Sequence, residues 1–285
     1  MYHGSQDFWK KLLNQALEED GCRWDWTTMG ALQKPGQRLT ARIVAKSDGI
    51  WAASGLVAAL PEELEINPVL LDGQRFEASQ TLMTWSGSGA LILAYERAFL
   101  NLAAYAGGIA TETQKLVDVL HSAGMKRTPR ICSTRKILPF YRDLAIHAVQ
   151  IGGGHSHRVN LAGGVLIKEN HIAAAGSIQN AVEGARKIAP HGLKIQAEVR
   201  SLSELAAALA AKVDGVLLDN FSPDLVRTAL AGLPKDNHPR PVVEVSGGLN
   251  ASNLRSYAIE GVDVLSFGYL THTVRSLDFS LLVQA

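Results

Sequence analysis

Between Ser133 and His171 the chain carries Arg135, Lys136, Arg142, His147, His155, His157, Arg158, Lys168 and His171 against only Asp143 and Glu169. Several of these cations adjoin glycine or close an apolar run. Glycine lets backbone approach a ligand closely, and clustered cations beside tight turns suit a small, multiply anionic molecule. A solvated basic face is the plain alternative. It weakens because the cations fall on separate strand-like segments, which must converge to be useful. Further on, Glu198 and Asp219 close successive apolar runs about one strand–helix unit apart. Paired carboxylates on one rim could bind Mg²⁺, which favours oxygen ligands and often shares them with phosphates. Each could instead accept a helix-start hydrogen bond. Ser246-Gly247-Gly248 and Ser266-Phe267-Gly268 close the last two runs, where backbone N–H groups of barrel folds hold phosphate.

The elements that must position these residues follow from texture. From Pro129 onward, short apolar runs alternate with helical stretches: RICST (130–134), AVQIG (148–152), VLIKEN (165–170), KIQAEV (194–199), GVLLDN (215–220), VVEVSGG (242–248) and DVLSFG (263–268). Ser201 and Glu204 form a capping box, and Ser222 followed by Pro223 marks another helix start. Repeated strand–helix units imply a parallel sheet with right-handed crossovers. About seven units in so short a stretch suit an incomplete α/β barrel better than a full one of roughly 250 residues; an open doubly wound sheet is the alternative. In a barrel, the polar residues that close the runs lie on one face.

The first part of the chain reads differently. Residues 7–19 carry Phe8, Leu12, Leu13, Ala16 and Leu17 at helical spacing. Residues 37–60 alternate and break at Asp48-Gly49, a hairpin signal. Residues 76–85 read as a strand and SGSG (86–89) as a loop, which makes 20–90 an antiparallel sheet. Residues 90–105 are helical and broadly apolar, with Gly107 and Gly108 as the stop and Thr111 capping a second helix to Ser122. Glu96 and Arg97 sit inside that apolar helix, and a buried arginine must find an anion.

At 285 residues the chain has room for one large α/β domain or two domains. Charged residues are only 19%, below the roughly 25% usual for soluble domains, which points to surface hidden in an oligomer. A net charge of +1 argues against a general nucleic-acid binder. Cys22 and Cys132 have no metal-site spacing, and a reduced cytoplasmic compartment fits them. The N-terminus turns polar too early for a signal peptide, and no apolar run reaches the roughly 18 residues of a membrane span.

Taken together, ERAFLN (96–101), STRK (133–136), GGGHSHR (152–158), LIKENH (166–171), LLDNFSP (217–223), EVSGG (244–248) and SFGYLTH (266–272) resemble the quinolinate phosphoribosyltransferase family. Glu19-Asp20-Gly21 with Asp25 and Thr27 adds to the likeness, which covers most of the chain. The resemblance implies an α/β fold: an N-terminal α/β sandwich domain, 1–112, joined by the tail 275–285, and an incomplete (β/α) barrel, 113–274, carrying the active site. It implies transfer of phosphoribosyl from phosphoribosyl pyrophosphate to quinolinate with decarboxylation, in NAD biosynthesis, with Mg²⁺. It also implies a cytoplasmic homodimer or higher homo-oligomer with shared active sites and no nucleic-acid or membrane partner.

By motif, Arg135, His157, Arg158 and Lys168 resemble the residues that bind quinolinate, and Arg97 one that reaches into the partner's site. Lys136, Glu198 and Asp219 are the expected catalytic residues, the two acids also serving the metal. Ser246, Gly247, Gly268 and His272 resemble phosphate contacts. Departures are TRKILPF, with Phe140 at a turn glycine, LAGG in place of an aspartate, Glu169 where aspartate is common, and Trp24. They touch loop shape more than ligand contacts. A related branch associated with molybdenum-transport operons tends to lack the lysine of LIK, so Lys168 favours the quinolinate enzyme. Rival readings are a barrel transferase or lyase using Lys136 or Lys168 as a Schiff-base nucleophile, and a silent binding module.

Overall fold

The computed structural model describes residues 5–32, 34, 36–67, 70–234 and 240–284. In chain order the elements are α1 (Gln6–Glu19), α2 (Trp26–Ala31), β1 (Arg38–Ala45), β2 (Gly49–Ile50), α3 (Ser54–Val57), β3 (Glu65–Asn67), β4 (Arg75–Phe76), β5 (Thr81–Ser88), α4 (Gly89–His121), β6 (Arg130–Ser133) and α5 (Arg142–Ile151). They continue as β7 (His155–Ser156), β8 (Val165–Ile167), α6 (Glu169–Ala175), α7 (Ile178–Ile188), β9 (Ile195–Val199), α8 (Leu202–Ala210), β10 (Gly215–Asp219), α9 (Pro223–Ala231), β11 (Val242–Ser246), β12 (Val264–Phe267), α10 (Tyr269–His272) and β13 (Phe279–Val283). The chain divides into two compact units, one of residues 1–114, 138–153 and 273–285, the other of 115–137 and 154–272.

In the first unit an antiparallel sheet has the order β13-β1-β5-β3, so the last strand closes onto the first. Ser5 caps α1 by accepting from the Phe8 N–H, and the helix buries Trp9, Leu12, Leu13 and Leu17. Asp48-Gly49 does not turn a hairpin: β1 pairs with β5 and β13, and β2 pairs with β4. Asp48 instead ties down a distant loop, its carboxylate accepting from the Ala78 N–H at 2.8 Å. SGSG is strand rather than loop, since β5 runs through Ser88.

Gly107 and Gly108 do not stop a helix. α4 runs unbroken from Gly89 to His121, and Thr111, inside it, accepts from the Ile50 N–H at 2.9 Å. A Cβ on Gly108 would stand 2.3 Å from the Arg275 carbonyl oxygen. The glycine is there so that the C-terminal tail can lie against the helix. AVQIG, read as a strand, is the buried end of α5; a short apolar run alone does not separate a strand from a buried helix. His147 on α5 is likewise no part of a ligand pocket. It is buried against the edge of Trp9, with Nε2 3.0 Å from Asp72 Oδ2 but without hydrogen-bond alignment.

The second unit is an all-parallel sheet of order β7-β6-β12-β11-β10-β9-β8. Because β12 pairs back onto β6, the sheet curls into a barrel. Among the described residues no ladder joins β7 to β8, which leaves the barrel incomplete. Alternation along the strands sorts the side chains. Ala197, Val199, Val216, Leu218, Val243 and Val245 face outward into the apolar layer under the helices. Their neighbours Gln196, Glu198, Leu217, Asp219, Glu244 and Ser246 face the lumen and its mouth. Ser201 and Ser222 cap α8 and α9, with Pro223 in the first turn. Half of the expected capping box forms: Ser201 accepts from Glu204 N–H, while Glu204 reaches the Arg200 N–H rather than that of Ser201.

Candidate active site

Parallel strands end on one rim, so the chain after each strand delivers its first polar residues to a common mouth. β6 leads to Arg135 and Lys136, β7 to His157 and Arg158, and β8 to Lys168. β9 ends beside Glu198 and Arg200, β10 at Asp219, β11 at Ser246-Gly247 and β12 before Gly268. The barrel residues matched to the family motifs follow or close these strand ends, with the His157 ring turned inward. Arg97 lies on α4 in the other unit; it is solvent-exposed, not buried, with Nη2 3.5 Å from Glu96 Oε1. The helix face it occupies is open, so the expected demand for a buried counter-anion does not arise.

Arg135 and Arg158 are close enough to repel. Burial, and then the neighbouring Arg135, lower the Arg158 guanidinium. Arg158 donates from Nη1 to the Gly164 carbonyl at 2.9 Å, but its buried Nε has no partner. Neither arginine meets a carboxylate among the described residues. Buried donors are seldom left unpaired, and two adjacent guanidinium groups with a spare N–H form a receptor for an anion.

Lys168 starts α6. The His171 imidazole in the same turn accepts from the Lys168 N–H at 3.0 Å, fixing the lysine backbone. Lys168 Nζ donates to Glu198 Oε2 in a short contact. Burial raises the Glu198 carboxyl and Asp219 raises it further, against the pull of Lys168. Asp219 is therefore electrostatically close to Glu198. Arg200 adds a second cation, with Nη2 2.9 Å from Glu169 Oε2 and Nε 3.7 Å from Asp219 Oδ2.

On the far side of the mouth, Gly247 has φ +93°, and a Cβ there would stand 2.3 Å from Asn220 Oδ1. Only glycine fits this turn. Asn220 donates to Asp219 Oδ2 at 3.0 Å, and its N–H goes to the Ser246 carbonyl at 2.8 Å, so the acid and the small-residue turn are held together. A methyl group at Gly268 would lie 3.1 Å from His272 Nε2 and 3.4 Å from Lys136 Cδ; these three residues therefore meet. Thr271 secures the Lys136 backbone, donating to its carbonyl at 2.9 Å.

His157 points down into the lumen. Nε2 lies 2.9 Å from Gln196 Oε1 and 3.3 Å from Glu244 Oε2, while Nδ1 accepts from the Arg158 N–H at 2.8 Å. Burial pulls the imidazole down, but Glu244 and Gln196 outweigh it and hold it above its ordinary value. A second proton, on Nδ1, would break the Arg158 bond, so this geometry fits the neutral Nε2–H tautomer. Cys132, on the lumen side of β6, is pushed up to about 12 by burial and then by Glu244.

Arg200, Asn220, Gln196 and Glu244 were not picked out from sequence. Arg200 carries the same signal as the others, a polar residue at the close of an apolar run. Glu244 had a different one, a lone acid in an otherwise apolar strand, which a barrel lumen explains.

The family model "Quinolinate phosphoribosyl transferase, N-terminal domain" matches residues 25–106, and the corresponding C-terminal domain model matches 109–282. The chain is 37% identical over 276 residues to the probable nicotinate-nucleotide pyrophosphorylase (carboxylating) of Bacillus subtilis, covering 95% of this chain and 92% of that one. It is 34% identical over 272 residues to the nicotinate-nucleotide pyrophosphorylase (carboxylating) of Homo sapiens, covering 95% and 90%. Among solved structures, the nicotinate-nucleotide pyrophosphorylase from Francisella tularensis superposes with a TM-score of 0.88 at 31% identity, covering 99% and 98% of the two chains. With models of both domains matching in order across nearly all of its length, the chain belongs to the quinolinate phosphoribosyltransferase family.

Proposed function

We propose that the barrel mouth transfers the phosphoribosyl group of phosphoribosyl pyrophosphate to quinolinate with loss of CO₂. The products are nicotinate mononucleotide and pyrophosphate, a step of NAD biosynthesis. Relatives that share the whole chain carry the carboxylating pyrophosphorylase name, so the molybdenum-operon alternative is not favoured. The observation that carries the reading is the adjacency of Arg135 and Arg158, with a spare buried N–H, on the same rim as an acid pair. A dianionic ring relieves the first feature, and a ribose with a charged leaving group suits the second.

Arg135, Arg158 and Lys168 receive the two carboxylates of the ring, and His157, expected beside them, supports Arg158 from the lumen by accepting its N–H. Ser246, Gly247, Gly268 and His272 offer donors to the phosphates, and Lys136, beside Gly268 and His272, stands where both substrates come together. The pyridine nitrogen bonds to the anomeric carbon as the carbon–oxygen bond to pyrophosphate breaks, and pyrophosphate keeps the electron pair. The ring is now cationic. The bond to the 2-carboxylate breaks, CO₂ leaves, and the electron pair stays on a ring carbon that the adjacent positive nitrogen stabilises until it takes a proton. The residues named supply orientation and preorganised charge.

Mg²⁺ fits this donor set. Among the described residues no group of three or more metal-ligating side chains gathers, and Mg²⁺ is commonly held by one or two carboxylates together with substrate phosphates. Glu198 and Asp219 would hold it, and it would neutralise the leaving pyrophosphate. The assembly we infer is a homodimer or larger homo-oligomer in which Arg97 of one copy completes the site of another. The cytoplasm, a reducing compartment, suits the free Cys22 and Cys132. Among the described residues no helix is long and apolar enough to cross a membrane.

Incubation with quinolinate, phosphoribosyl pyrophosphate and Mg²⁺ should release CO₂ and form nicotinate mononucleotide. Folded protein that forms neither overturns the reading. Nicotinate lacks one carboxylate and leaves a cation unpaired. A charge-assisted hydrogen bond contributes roughly 1.5–3 kcal/mol, so kcat/KM for quinolinate should exceed that for nicotinate by at least about tenfold.

A further inference from the structure

Among the described residues Glu244 is the most buried acid of the barrel, 3% exposed, and the reaction above gives it no task. A buried carboxylate is costly unless it is paired and fully hydrogen-bonded. Here both oxygens are bonded. Ser266, itself buried, donates to Oε1 in a short contact. Gln196 Nε2 donates to Oε2 at 2.8 Å, and His157 Nε2 lies 3.3 Å from the same oxygen. Burial alone would raise this carboxyl, yet His157, Ser266 and Gln196 hold it below its ordinary value. The carboxylate is thus an acceptor surrounded by donors, and one donor is the residue before Arg158.

The chain of contacts runs upward from there. Glu244 and Gln196 both face the His157 Nε2 atom as acceptors, which places the ring proton on Nε2 and leaves Nδ1 bare. The bare Nδ1 accepts the Arg158 N–H at 2.8 Å. That bond fixes the backbone from which Arg158 reaches across to Gly164 and toward Arg135. We propose that Glu244 is a positioning residue of the acceptor pocket: from the lumen it fixes the tautomer of His157 and so sets the His157–Arg158 turn that grips one carboxylate of the substrate. The inference rests on the functional reading above for its substrate, but not for its geometry.

Glu244→Gln keeps the side-chain shape and removes the charge. An amide can donate as well as accept, so it no longer forces Gln196, whose Nε2 now donates to Glu244, to turn its oxygen toward His157; both acceptors of Nε2–H become interchangeable with donors, and the turn loosens. The KM for quinolinate should rise about tenfold, the equivalent of one charge-assisted bond, while the KM for phosphoribosyl pyrophosphate stays within about twofold. Ser266→Ala, which removes one donor to Glu244 and perturbs the lumen less, should shift the quinolinate KM in the same direction by about threefold. Nitrogen-15 NMR of imidazole-labelled protein reads the tautomer without turnover. His157 should show a bare Nδ1 in the parent and lose it in Glu244→Gln.

A folded Glu244→Gln protein with the parental tautomer and parental KM overturns the proposal. So does an equal rise of both KM values, the mark of a general structural lesion. If Glu244→Gln does not fold, the Ser266→Ala values decide by the same criteria. A parent that turns over no quinolinate defeats the functional reading while the NMR comparison still tests the Glu244–His157 link.

Discussion

Lys168 and Glu198 hold each other at the rim, and that pairing makes the acid readable by kinetics. Glu198 is raised by burial and by Asp219, and Lys168 is the group that lowers it. In the proposed role, as a ligand to the metal and the ribose, its working form is the anion. The sign follows: activity falls as pH drops through a value above the ordinary carboxylate range. Replacing Lys168 with Met removes the lowering influence, so the acid limb of the kcat/KM profile should move to still higher pH, beside a large loss of quinolinate binding. An unmoved limb would mean that Lys168 does not govern Glu198. Phe140 shows a different single-residue economy. It has φ +69°, a left-handed conformation costly for a side-chain residue, and its ring is 94% exposed, so packing returns nothing in the isolated chain. Phe140→Gly should therefore stabilise the protein by about 1 kcal/mol, seen as a higher urea midpoint at constant slope.

At the scale of elements, α4 depends on contact rather than on propensity. Gly107 and Gly108 weaken it locally, but the tail packs where a side chain would be. Gly108→Ala brings a methyl group against the rigid Arg275 backbone and should cost about 2–3 kcal/mol by denaturant melting; a neutral result would mean that the tail moves aside freely. This contact explains why the sequence misleads there. A glycine pair near the end of an apolar helical run looks like a stop, and only the tail, far along the chain, reveals it as a packing groove. The Asp48-Gly49 turn and the AVQIG segment misled for the same reason, because long-range pairing and helix burial overrode local pattern. What was legible were features whose cause is local: the Ser201 and Ser222 caps, and the polar residues closing successive apolar runs. Those closings locate nearly the whole rim, because parallel strands place all their ends together. Gln196 and Glu244 escaped because a lumen that is polar inside is visible only after the sheet has curled.

The whole molecule is where Arg97 must be judged. It stands exposed on α4, and the functional reading assigns it to a neighbouring copy's site. Arg97→Ala and Lys168→Ala chains should each be inactive alone. In a dimer, random mixing puts both lesions in one site and none in the other for half of the assemblies, so activity should return to roughly a quarter of the parent's. Mixed dimers confirmed by mass but still inactive would place Arg97 outside any shared site. The barrel itself carries a mechanical consequence. It is a cylinder slit along one side: β7 has two residues and β8 three, and they stand as unjoined lips. Arg158 follows one lip and Lys168 the other. Among the described residues no ladder crosses the slit; Arg158 reaches over to the chain just before β8, its Nη1 donating to the Gly164 carbonyl, and a rigid dianion held by both Arg158 and Lys168 would act as a clasp between the two lips.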